Sequence, residues 1–131
     1  MTTILIDTSI IIDYLRTKVD KENSKLFKLT EGNSELAISL ITYSELYSGR
    51  SVWEHEHARS ELEDLFSYFQ IMPFEKDTAR KAGEIRAKFK INLLDAIIGA
   101  TAILHNLPLA TLNIKDFKQI EGIEIFSFSK L

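Results

Sequence analysis

The sequence predicts an α/β fold, a parallel sheet covered by helices on both faces. Three observations predict it. Short apolar runs alternate with stretches of helical periodicity along the whole chain. Several of those runs close on acidic or hydroxyl residues of the kind that open helices. The length, 131 residues, suits one core and not two ordinary ones, so residues 1–131 are read as a single domain.

The elements follow in order. Residues 3–6 (Thr-Ile-Leu-Ile), closed by Asp-Thr-Ser, form a buried strand followed by a helix cap. Residues 9–16 are expected to be a short helix with Ile11, Ile12 and Leu15 turned inward. The charged stretch 18–25 opens a second helix carrying Leu26, Phe27 and Leu29, which Gly32-Asn33 ends. Residues 36–39 are a second strand, and 42–47 begin a helix stopped by Ser48-Gly49. From 54 to 69 the apolar residues Ala58, Leu62, Leu65, Phe66 and Phe69 recur at helical spacing, predicting one amphipathic helix. Residues 71–74 are a third strand, placed at an edge by Pro73. Residues 76–89 are helical, with Ala82, Ile85 and Phe89 on one face. The apolar stretch 94–105 reads as a buried helix, 109–112 as a fourth strand and 123–128 as a last one.

Composition excludes several classes. No apolar segment reaches the roughly 18 residues needed to span a bilayer, and MTTILIDTS lacks the basic start of a signal peptide. Cysteine is absent, so there is no disulfide framework and no thiolate metal site, as suits a reducing cytoplasm. The formal charge is −3, which argues weakly against a generally basic nucleic-acid surface. Four carboxylates account for that balance. Without them 15 acidic residues stand against 16 Lys and Arg.

Those four are Asp7, Glu45, Asp95 and Asp116, each where an apolar run gives way to a turn or helix. In a parallel α/β sheet the carboxyl ends of the strands line the binding crevice, and these positions are consistent with one cleft. Two carboxylates about 4 Å apart repel by roughly 4 kcal/mol at an effective dielectric of 20, so a fold that gathers four calls for a cation. All-oxygen ligands select hard ions, Mg²⁺ or Mn²⁺, and point to phosphate chemistry. Each acid also has a structural explanation. Asp7 can cap the next helix, Glu45 can form a capping box with Thr42, Asp95 suits a first helical turn, and Asp116 can organise a turn after Asn113. Asp7 and Asp95 stand out because their apolar surroundings hold no basic residue within four positions. Thr8, Ser9, Thr111 and Asn113 lie beside the acids and can orient them. The three histidines are too scattered for a metal site, and no Gly-rich phosphate loop occurs. Tyr43 and Tyr47, four apart on one helix, suit base stacking or packing. Arg16, Lys18, Arg50 and Lys115 can steer a phosphate backbone.

ILIDTSIIIDYL, ISLITYSELYSG, LLDAIIGATAILHNLPLATLN and NIKDF, in that order over nearly the full length, resemble the PIN domain, and within it the VapC-type toxins of toxin–antitoxin pairs. The resemblance implies a Rossmann-like α/β/α sandwich with about five parallel strands. It implies a metal-dependent endoribonuclease using Mg²⁺ or Mn²⁺, cutting RNA to leave a 5′-phosphate. Asp7, Glu45, Asp95 and Asp116 take the family's acidic places, with Thr8 or Ser9 and Asn113 as the polar residues around them. Asp7 and Asp95 are then direct ligands, Glu45 acts through water, and Asp116 or Asn113 completes the site. Asn92 lies near the cleft. Implied partners are the RNA substrate, a small cognate antitoxin and a second copy in a homodimer. Tyr14, Leu15, Leu46 and Tyr47 mark surfaces for the antitoxin. The alternative is a PIN-like module that binds RNA or protein without cutting. A phosphoacceptor receiver domain fits poorly, since no Asp follows the strand ending near Ser39.

Overall fold

The computed structural model describes residues 2–130. Strand β1 (Thr3–Ile6) leads into α1 (Thr8–Arg16). A 3-10 turn at Lys21–Asn23 precedes α2 (Lys25–Thr30), which Ser24 caps by accepting the Phe27 N–H at 3.2 Å. The charged stretch 18–25 therefore does not open a long helix. Asp20 takes a left-handed conformation (φ 60°) that breaks it. Strand β2 (Glu35–Ser39) runs into α3 (Leu40–Tyr47). A short helix α4 (Arg50–Glu54) stands on its own, and the amphipathic helix expected over 54–69 is the shorter α5 (Glu56–Phe66), which starts after the extended His55 and ends before Phe69, already part of a strand. Strand β3 (Phe69–Met72) follows, then α6 (Lys76–Lys88), α7 (Leu93–Leu104), the two-residue β4 (Leu109–Ala110) and the single-turn α8 (Ile114–Phe117).

The sheet is parallel, in the order β3-β2-β1-β4. Thr3 pairs with Glu35, Leu5 with Leu109 and Leu36 with Phe69. The sheet has four strands rather than about five. The segment expected as a last strand, 123–128, is reduced to one parallel bridge between Leu109 and Ile125. Leu109 donates its N–H to Glu124 and accepts from Phe126, at 2.9 and 2.8 Å. Because β4 is only two residues long, a neighbour finds no further ladder to extend. Strand β3 lies at the opposite edge, where Pro73, just past its end, costs no ladder bond.

Alternation along the strands makes two cores. Ile4, Ile6, Leu36 and Ile38 face one way, with Ile10, Ile11, Leu26, Leu46 and Leu62 of the helices before β3. In α1 the fully buried pair is Ile10 and Ile11, while Ile12 and Leu15 are only half-buried. Leu5, Ala37 and Leu109 face the other way, against Ile85 of α6, the buried residues of α7 and Phe117 of α8. Helix α7 is not apolar-buried all round: Leu93, Leu94 and Leu104 are exposed at its ends. Its middle approaches closely because Gly99 has no Cβ. One built there would stand 3.1 Å from Ile120 Cδ1.

The chain goes from β1 to β2 and β3 on one side, then returns to lay β4 on β1's other side. Strand order thus reverses between β1 and β4. A crevice opens at such a point beyond the carboxyl ends of the strands.

Candidate active site

Asp7 is the first residue past β1 and is 2% exposed. It holds the N-cap position of α1, yet its side chain makes no cap hydrogen bond. Capping therefore does not account for the carboxylate. Its Oδ2 instead accepts two hydroxyl protons, from Ser9 at 2.6 Å and from Thr111 at 2.8 Å. Each of these hydroxyls in turn accepts a backbone N–H of the loop after β4. Leu112 donates to Ser9 Oγ at 3.1 Å and Asn113 to Thr111 Oγ1 at 2.9 Å. Both donations to Asp7 fall on one oxygen and tie the ends of β1 and β4 together.

Glu45 lies within α3, and its predicted capping box with Thr42 does not form. The helix begins at Leu40, and its cap is Ser39, whose side chain accepts the Thr42 N–H at 3.1 Å. The apolar Leu-Ile pair after Ser39 had placed the start two residues late. Thr42 is instead fully buried in a chain of hydroxyls. Thr8 Oγ1 stands 2.8 Å from Glu45 Oε1 and 2.9 Å from Thr42 Oγ1. A hydroxyl has one proton, and an ionised carboxylate only accepts. With Glu45 ionised, Thr8 donates to it and Thr42 supplies its own proton to Thr8. Ser39 Oγ donates to Thr42 Oγ1 at 3.1 Å. The chain runs Ser39, Thr42, Thr8, Glu45. Of the two hydroxyls after Asp7, Ser9 serves Asp7 and Thr8 serves Glu45.

Asp95 is in the first turn of α7. Asn92 caps that helix by accepting the Asp95 N–H at 2.9 Å, and its amide donates to Asp95 Oδ2 at 3.1 Å. Burial first, then Asp7, with smaller pushes from Glu45 and Asp116 and the Asn92 bond opposing, bring the Asp95 carboxyl up from 3.8 to about 6. Glu45 is also raised, first by burial, with the Thr8 bond opposing and Asp7 adding. Asp95 thus feels the other three acids, and Glu45 feels Asp7. Asp116 is exposed on α8 and shares with Asp95 an open cleft of about 400 Å³, also lined by Arg86, Lys90, Ile91 and Asn92. A hollow of about 490 Å³ lies at the far end of the sheet, by the starts of β2 and β3, away from these acids.

Arg86 and Lys90 escaped the sequence reading, although two basic residues four apart and just upstream of Asp95 were a usable signal. They line the cleft, and Arg16, Lys18 and Arg50 do not; Lys115 stands on α8 beside Asp116. Asn113 precedes α8 and makes no side-chain cap. Tyr43 and Tyr47 pack edge to face at 5.1 Å between centroids and both meet Phe66. Trp53 lies against Tyr47 and donates to its carbonyl at 2.7 Å.

Among the described residues no group of three or more acidic or imidazole side chains is placed to hold a metal ion. A hard ion such as Mg²⁺ commonly keeps several waters and uses one or two carboxylates beside a substrate phosphate. The donors are hard oxygens, and mutual repulsion between the acids is what a cation would relieve.

The family model for the PIN domain matches residues 4–123. The chain is 33% identical to Ribonuclease VapC1 of Rickettsia felis, over 96% of each protein. It resembles a toxin–antitoxin complex from Klebsiella pneumoniae (TM-score 0.73, 35% identity), covering 92% of this chain and 94% of that one. It also resembles VapBC2 from Rickettsia felis, bound to a DNA fragment from its promoter (TM-score 0.79, 27% identity, 95% and 98% covered).

Proposed function

We propose, from the premise that this chain belongs to the PIN-domain family, that it is a metal-dependent endoribonuclease, the toxin of a toxin–antitoxin pair. The observation that carries the reading is Asp95, whose carboxyl is raised to about 6 by burial and by Asp7, Glu45 and Asp116. Perturbed acids in a cleft mark functional sites, and relatives matched over 96% and 90% of their length are named ribonucleases.

Asp7 and Asp95 are the proposed direct ligands of Mg²⁺ or Mn²⁺. Ser9 and Thr111 hold Asp7 Oδ2, so its other oxygen would be the one to meet the ion. Asn92 orients Asp95. A divalent ion held there would polarise a phosphoryl oxygen and lower the pKa of a water. Glu45, aimed by Thr8, orients the attacking water and receives its proton. Asp116 lines the same cleft as Asp95 and would complete a second cation position where two ions bind. Arg86 and Lys90 hold the phosphate beside the acids.

The structural neighbours are toxin–antitoxin complexes, and a small antitoxin is the proposed partner. Its docking face centres on Tyr14, Tyr47 and the exposed Trp53. Leu46 is buried and is not part of it. A homodimer and a cytoplasmic location belong to the same reading. No helix among the described residues is long and apolar enough to cross a membrane.

The test uses the chain purified free of antitoxin, incubated with RNA in Mg²⁺ or Mn²⁺, with and without chelator. Cleavage by wild type, abolished by chelator and by Asp7→Asn and Asp95→Asn, is expected. Equal cleavage by all three removes the assignment. RNA or protein binding with no cleavage by wild type makes the chain a binding module.

A further inference from the structure

A second pocket, of about 420 Å³, lies on the other side of the loop that walls the acidic cleft. Lys25, Thr111, Leu112, Ile114, Phe126 and Phe128 line it. The stretch 111–116 divides the two. Thr111, Leu112 and Ile114 face the pocket, while Asp116 faces the cleft. Thr111 also donates to Asp7, so the pocket wall and the candidate catalytic carboxylate are one hydrogen bond apart.

The lining is unusual for a surface loop. Leu112 and Ile114 are 43% and 46% exposed in a segment that turns ordinarily fill with polar residues. Phe126 and Phe128 meet edge to face at 5.3 Å between centroids. The Lys25 ammonium stands 4.6 Å from the Phe128 ring centroid and makes no ion pair among the described residues. An apolar pocket with aromatic walls and a cation that rests on an aromatic face with no acid to neutralise it matches what a flat base on a charged backbone requires. A peptide side chain could use the apolar walls, but it has no fixed need of the cation.

We propose that this pocket is a nucleobase subsite. It receives the base of the nucleotide adjoining the phosphate in the acidic cleft, with the base against Phe128 and the Lys25 ammonium moving from the ring to the neighbouring phosphate. The inference rests on the ribonuclease reading and extends it: recognition comes from stacking, so base preference at this position is broad.

The test measures binding rather than turnover. The full chain with Asp95→Asn, in chelator, is titrated with a short single-stranded RNA carrying one 2-aminopurine. Quenching of the 2-aminopurine is expected on binding. Phe128→Leu, which keeps apolar bulk and removes the aromatic face, should relieve the quenching and weaken binding about 10-fold. Lys25→Ala, a surface change, should weaken binding and lower the slope of log affinity against log salt by about 0.7. Far-UV circular dichroism checks that both variants fold. Unchanged affinity and quenching in both variants overturns the subsite. So does unchanged RNA affinity with weakened antitoxin capture, which gives the pocket to the protein partner. The ribonuclease reading is judged separately, from cleavage by the wild-type chain in Mn²⁺.

Discussion

Replacing Asp95 by Asn should make the metal-free protein more stable at neutral pH while removing its proposed cation ligand. The folded chain lifts this carboxyl from 3.8 to about 6, so it binds a proton more tightly folded than unfolded. Between those values the folded state holds more protons, and stability falls as pH rises. The penalty is absent below about pH 4 and complete above about pH 6. At about 1.4 kcal/mol per pKa unit the upper bound is near 3 kcal/mol. Asp95 is only partly buried, and solvent screening reduces this to about 1 kcal/mol. Asn keeps an oxygen that can accept from the Asn92 amide, so the helix start survives. In a domain of this size the gain corresponds to about 4 °C in Tm. The assay is thermal unfolding in chelator, wild type against Asp95→Asn, from pH 4 to pH 7.5. The two should coincide near pH 4 and separate by pH 6.5, with the variant higher. A variant less stable at pH 7, or a gap that does not change with pH, would refute the electrostatic account of the site.

Removing both protons from Asp7 Oδ2, by Ser9→Ala with Thr111→Val, should weaken cation affinity about 10- to 100-fold; Mn²⁺ titration reads this, and equal affinity would show that the two hydroxyls serve only the fold. Thr42→Val removes the donor into Thr8 and should lower RNA cleavage and shift the pH profile set by Glu45, with Thr42→Ser restoring both. An equal loss in the two variants would mean that packing, not the proton, matters. Phe117→Ala empties a fully buried site and should cost about 3–5 kcal/mol in urea unfolding. A cost below about 1 kcal/mol would place Phe117 outside the core.

Apolar runs and their caps made much of this fold legible. Strands β1 and β2 fall where the sequence places them because β-rich runs there end on Asp7 and on Ser39. The end of α5 was not legible, since Phe69 continues the helical spacing of Leu62, Leu65 and Phe66 yet opens β3, and the short α4 ahead of it carries no such period. The missing fifth strand depends on the length of β4, which no residue in 123–128 encodes. At the site, residue types announced the acids and the divalent chemistry they suit. Partners could not be read, because Asp7 and Thr111 are 104 residues apart in sequence. Nor could the roles of Thr8 and Thr42. Thr42 spaced three before Glu45 suggests a cap until the helix start is known.

The bond between Asp7 and Thr111 also carries information about synthesis. Strand β1 is made first, but its neighbour β4 and the hydroxyl that steadies Asp7 arrive only with residues 109–111. A growing or stalled chain that stops before them leaves one side of β1 without its partner and the acidic crevice without a wall. Such a product is expected to be inert toward nucleic acid, and its bare apolar edge invites self-association. The proposed nuclease activity would thereby be withheld until most of the polypeptide has been translated, and premature stops ahead of residue 109 should abolish it as fully as loss of an acid.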